Sequence, residues 1–127
     1  MAFRVSRDEF ERLVEKALES LPSRYRKNFT NIAVTVEDYP SEEERRNLTP
    51  GRGLLLGLFS GTPYPRKGGF FDIPSPFPDR IILFQKNIEA ICSSEDALIR
   101  QIRMTLIHEV GHYFGMSEEE LRDYEDE

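Results

Sequence analysis

The segment from Ser94 to Phe114 constrains the fold more than any other part of this 127-residue chain. Leu98, Ile99, Ile102, Leu106, Val110 and Tyr113 recur every three or four residues. That spacing puts side chains on one face of an α-helix. Ser93 and Ser94 offer N-caps, and Glu95 and Asp96 fall in the first turn, where carboxylates are favoured by the helix dipole. Gly115 stands where a C′ glycine ends a helix. The pattern predicts a long helix whose single apolar stripe needs a surface to pack against.

Partners for that stripe are present upstream. Residues 6–21 predict an amphipathic helix, with Ser6 and Glu9 as a capping box, Phe10, Leu13, Val14, Ala17, Leu18 and Leu21 as its core face, and Pro22 as its stop or the start of a short turn. Asn31 to Glu37 alternates in β-branched residues and predicts a strand. The polar, acidic segment from Asp38 to Arg52 reads as an exposed connection. Leu54 to Phe59 predicts a second strand, in which Gly57 signals a bulge or the close approach of another backbone. Arg80 to Phe84 predicts a third, followed by a helical turn at Lys86 to Ile91, and Ser117 caps a short terminal helix. Between the second and third strands, Thr62 to Asp79 carries five prolines and the pair Gly68-Gly69, so it reads either as a lid or binding loop or as a ragged hairpin through Phe70–Ile73. No repeat or linker divides the chain, and residues 1–127 are expected to form one domain.

Composition narrows the function. Hydrophobic residues make up 39% and charged residues 31%, which suits a folded globular chain. The net charge of -6 argues against nucleic acid and against an anionic membrane surface, both of which call for basic patches. The longest apolar run, within Leu54–Phe59, is too short to span a bilayer, and Met1–Val5 lacks the apolar stretch of a signal peptide. A lone cysteine, Cys92, excludes an internal disulfide and suggests a reducing compartment. A cytoplasmic protein with a buried, inert Cys92 is the expectation.

Within the long helix stands His108-Glu109-Val110-Gly111-His112, and these are the only two histidines in the chain. Four residues apart on a helix, two imidazoles lie one above the other and can both reach one tetrahedral Zn²⁺. Glu109 sits beside the metal rather than on it, the place of a general base for an attacking water. Apart from Glu109, the residues inside and immediately around the motif are uncharged, and the apolar stripe lies on the opposite side of the helix. A catalytic zinc takes three protein ligands plus water. With no third histidine, the third is expected to be a carboxylate: Glu118 first, reached because Gly115 can reverse the chain, then Glu119, then Glu120. Carboxylates in a helix's first turn are also favourable without any metal.

These residues resemble the zincin metallopeptidases. The run H-E-x-x-H-x-x-G-x-x-E from His108 to Glu118 is similar to the metzincin motif with glutamate in place of its last histidine. More closely, the chain resembles the minimal zincins, small bacterial zincin-like predicted metallopeptidases. The match takes in the N-terminal helix ending in Leu21-Pro22, the strand Leu56–Gly61 and the H-E-x-x-H helix with its acidic sequel. The resemblance implies an α+β fold in which a small mixed or antiparallel sheet packs on the N-terminal and active-site helices, with one zinc ion. It implies a peptidase acting on peptides or flexible protein segments, and points to residues 57–61 as the edge along which substrate lies as an added strand. Tyr64, Tyr113 and Tyr124 are candidates for stabilising the oxyanion. The other reading is a metal-stabilised, non-catalytic interaction module using the Pro-rich loop 62–79. The oligomeric state and the cleavage preference stay open at this point.

Overall fold

The computed structural model describes residues 3–26, 32–48, 54–60, 79–113 and 119. Its elements, in order, are α1 (Arg7–Ser20), α2 (Ser23–Arg26), β1 (Ala33–Glu37), α3 (Glu42–Leu48), β2 (Gly57–Ser60), β3 (Arg80–Phe84), α4 (Gln85–Ala90) and α5 (Glu95–Tyr113). The strands form a mixed sheet of order β1-β3-β2, with β1 parallel and β2 antiparallel to β3. The architecture is therefore α+β, as the resemblance to the minimal zincins implies.

β3 is central because its sequence suits burial on both faces. Ile81, Ile82, Leu83 and Phe84 form a continuous apolar run and all are buried. Ile81 and Leu83 join the helices in the main core; by alternation, Ile82 and Phe84 take the other face. Phe10, Leu13, Val14 and Ala17 of α1 meet Leu98, Ile102, Leu106 and Val110 of α5 in the same core. The predicted stripe on α5 is thus buried at four positions; Ile99 is half-buried, and the Tyr113 side chain lies outside the described residues.

Both long helices start where the caps predict. Ser6 Oγ accepts the Glu9 amide (3.1 Å), and the Glu9 carboxylate pairs with Arg12. Ser94 Oγ accepts the Ala97 amide (3.1 Å). Each bond satisfies an amide that the first helical turn leaves without a partner.

Two sequence expectations need correction. The segment from Asp38 onward is no plain connection, because α3 occupies Glu42–Leu48. Its cause is a capping box: Ser41 Oγ accepts the Glu44 amide (3.0 Å), and Glu44 Oε1 accepts the Ser41 amide (2.7 Å). The second strand begins at Gly57, not Leu54. The two residues before it still bond to the structure, as Leu56 O accepts the Phe84 amide (3.0 Å) and Leu55 O accepts Asn87 Nδ2 (2.9 Å).

A polar cluster unmarked by any motif holds the N-terminal segment in place. Buried Glu89 accepts the Val5 amide (2.9 Å) and Gln85 Nε2 (3.1 Å) through Oε2. Arg7 donates to Gln85 Oε1 (2.9 Å) and to Val36 O (2.8 Å), and pairs with Asp38. These bonds fasten the start of α1, the end of β1 and α4 together. Cys92 is buried, as expected; its Sγ donates to Ala97 O (3.5 Å), and burial pushes its thiol above the ordinary pKa.

Candidate active site and metal centre

The site is built where α5 passes β2, whose one sheet neighbour among the described residues is β3. Leu106 and Val110, each two positions before a histidine of the motif, are buried in the core. Two residues turn a helix by about 200°, so the positions of His108 and His112 lie on the opposite side of α5. Both are within the helix, one turn apart. His108 is half-buried and borders a cavity of about 370 Å³, together with Glu109, Gly57, Thr105, Met104 and Leu55.

Gly57 sets the distance between strand and helix. A Cβ at this position would lie 2.7 Å from Thr105 Cγ2, 3.4 Å from Ile82 O and 3.6 Å from Glu109 Cγ. Real carbon contacts sit at about 3.5–4.0 Å, so no larger residue fits without a shift. Glycine is required here by space. The pairing with β3 is regular, without a bulge, and what comes closest is a side chain of α5 rather than the backbone that the sequence suggested.

The closeness has a direct consequence for Glu109. Its Oε1 accepts the backbone amide of Phe59 at 2.9 Å, across fifty positions of sequence. The carboxylate is thereby held at β2, next to His108 and on the cavity wall. Below it, Thr105 Oγ1 donates to Gln101 O (2.8 Å) and accepts Gln101 Nε2 (3.2 Å), which satisfies this buried hydroxyl.

Of the predicted metal ligands, His108 is described fully. His112 is described as a helical position, with its side chain outside the described residues. Glu118 and Glu120 lie outside them as well; Glu119 is helical and exposed. Among the described residues no three His, Cys, Asp or Glu side chains converge on one point. The donor chemistry nevertheless fits zinc: neutral imidazoles and a carboxylate are ligands that zinc accepts. His108 borders open space rather than packing into the core, as a ligand to a catalytic metal must. Tyr64 and Tyr124, and the side chain of Tyr113, fall outside the described residues, as does the Pro-rich loop up to Pro78.

Sequence reasoning did not reach the cavity wall formed by Leu55, Gln101, Met104 and Thr105. A signal existed for two of these: Met104 and Thr105 stand four and three positions before His108, and so share its side of the helix. Nothing local marks the Phe59 amide, which becomes relevant only because β2 packs beside α5.

Among the described residues, no helix is long and apolar enough to cross a membrane. A comparison with curated proteins finds no match. A family model described as zincin-like metallopeptidase matches residues 29–127, a span that includes β2, β3 and the whole of α5, and the chain belongs to that family.

Proposed function

We propose that the protein is a zinc-dependent peptidase in which His108, His112 and Glu118 hold the metal and Glu109 is the general base. One observation carries the reading furthest. The Glu109 carboxylate lies at the edge strand, 2.9 Å from the Phe59 amide, and next to His108 on the wall of an open cavity. The proposed base and the proposed first ligand therefore lie together beside β2.

Bound zinc would supply a Lewis acid that makes water reactive near neutral pH and polarises the scissile carbonyl. The chain's own residues supply the rest. β2 offers an edge on which an extended peptide or flexible protein segment can lie as an additional strand. Glu109, anchored at that edge, takes a proton from the attacking water and returns it to the leaving nitrogen. Leu55, Met104 and Gly57 wall the space beside Glu109 and His108. The net charge of -6 and the lone buried Cys92 support a cytoplasmic enzyme that does not act on nucleic acid.

The test is metal analysis together with peptide hydrolysis. Wild type should bind one zinc per chain, His112→Ala should lose it, and Glu109→Ala should keep it while hydrolysing about 10²–10⁴-fold more slowly. Wild type without stoichiometric zinc refutes the reading. Zinc retained with no turnover that depends on Glu109 would instead indicate a metal-stabilised interaction module.

A further inference from the structure

β3 turns into α4 at Gln85, directly after Phe84 donates its amide to Leu56 O. The ladder stops there, and among the described residues its backbone offers Leu55 no donor. Asn87 supplies one instead: its Nδ2 donates to Leu55 O at 2.9 Å, across 32 positions of sequence. A carbonyl only accepts, so the nitrogen of this amide must face it. α4 is a firm mount for that donor. Ile88 is fully buried in the main core, and Glu89 and Gln85 tie the helix to Val5. Leu55 has less to hold it. Leu56 packs against the core, whereas Leu55 is no part of that packing, and Leu54 before it is exposed. Yet Leu55 and Leu56 both line the cavity of about 370 Å³ that His108 and Glu109 border. Asn87 itself is buried. Burying an amide is unfavourable unless it is bonded, and an apolar residue would fill the same space on α4. What the amide contributes there is the fixed position of Leu55.

We infer that Asn87 is a positioning residue for the candidate site: through Leu55 it holds the cavity wall at the width that receives an apolar substrate side chain. The inference rests on the reading of that cavity as part of a peptidase site. Beside His108 and Glu109 the lining is Leu55, Leu56, Gly57 and Met104, with Gln101 and Thr105 bonded to each other. Such a surface suits an aliphatic side chain of leucine size and offers little to a charged one. With the Asn87 bond removed, Leu55 can shift, and its contact with that side chain is lost. The reacting groups stand on α5, and Asn87 is bonded to none of them. A substrate with only a methyl group at this place therefore does not register the change.

The experiment uses the full-length chain without zinc, so that nothing is cleaved. The probes are two end-blocked, fluorescently labelled heptapeptides with serine at both ends and alanine within; one carries leucine at the centre, the other alanine. Wild type should bind the leucine probe at least about tenfold more tightly, the discrimination an apolar pocket makes for a few extra carbons. Asn87→Ala should reduce that ratio to about twofold or less, with the alanine probe bound as in wild type. Asn87→Leu keeps the volume without a donor, protects the fold, and should lower the ratio in the same way. Leu55→Ala changes a half-buried residue outside the core and should lower it too. In that background Asn87→Ala should bring no further loss, because the two act through one contact. A merely structural role for Asn87 would weaken both probes alike. A ratio unchanged in Asn87→Ala and Asn87→Leu, equal losses for both probes, a further loss in the Leu55→Ala background, or a wild type that does not distinguish the probes overturns the inference. The peptidase reading fails separately, if zinc-loaded wild type hydrolyses the leucine probe no faster than Glu109→Ala.

Discussion

Replacing Gly57 by alanine tests how the site is assembled. The added methyl carbon would sit 2.7 Å from Thr105 Cγ2, roughly 1 Å inside an ordinary carbon contact. Thr105 is buried in the middle of α5 and its hydroxyl is bonded to Gln101, so the side chain cannot simply rotate away. The strand must move from the helix, or the helix from the core. Overpacking of this kind costs about 1–3 kcal/mol. Against it stands a gain of about 0.4–1 kcal/mol, because alanine restricts the unfolded chain more than glycine and the backbone here is compatible with it. The expected net loss is about 1–2 kcal/mol, readable as a lower urea midpoint with unchanged slope. Thr105→Ser removes the clashing methyl and keeps the hydroxyl, so Gly57→Ala/Thr105→Ser should recover most of that loss relative to Thr105→Ser alone. Because Glu109 reaches Phe59 only at this separation, Gly57→Ala should also speed hydrogen exchange at the Phe59 amide. A Gly57→Ala protein as stable as wild type, or one that Thr105→Ser does not rescue, would refute the claim that close packing dictates this glycine.

Other consequences follow from the same coordinates. Leu106→Ala empties a fully buried position between α1 and β3 and should lower stability by about 2.7–5 kcal/mol in chemical denaturation. Glu89→Ala strips the Val5 amide of its acceptor and Gln85 Nε2 of one of its acceptors in a buried setting, and should lower stability by about 1–3 kcal/mol while exposing the N-terminal segment to proteolysis. The Cys92 thiol, raised by burial, should react with thiol reagents in the native protein more slowly than free cysteine at pH 8, and at full speed only once the chain unfolds. Since its folded pKa lies above the unfolded value of about 9.0, the associated stability is present below that pH and is lost as pH rises beyond it. Urea midpoints at pH 7 and pH 10, compared between wild type and Cys92→Ser, check that sign.

How much of this was legible before the structure depends on the range of the interaction concerned. α1 and α5 could be read directly, because an amphipathic helix and its caps are set by residues three or four apart. Ser6 with Glu9 and Ser94 with Ala97 act within a single turn. α3 was legible by the same rule, through Ser41 and Glu44, but its acidic, stripe-free composition obscured it. The candidate chemistry of His108, Glu109 and His112 was legible because helical periodicity alone brings those positions together. Tertiary structure decided what joins distant segments. Among the described residues the sheet order is β1-β3-β2, and no local pattern states which strand pairs with which. The Phe59–Glu109 bond spans fifty positions, and the Arg7–Gln85–Glu89 cluster links α1 to α4. Such contacts depend on which surfaces meet once the apolar faces are buried, a choice made by the whole core at once and written in no short stretch of residues.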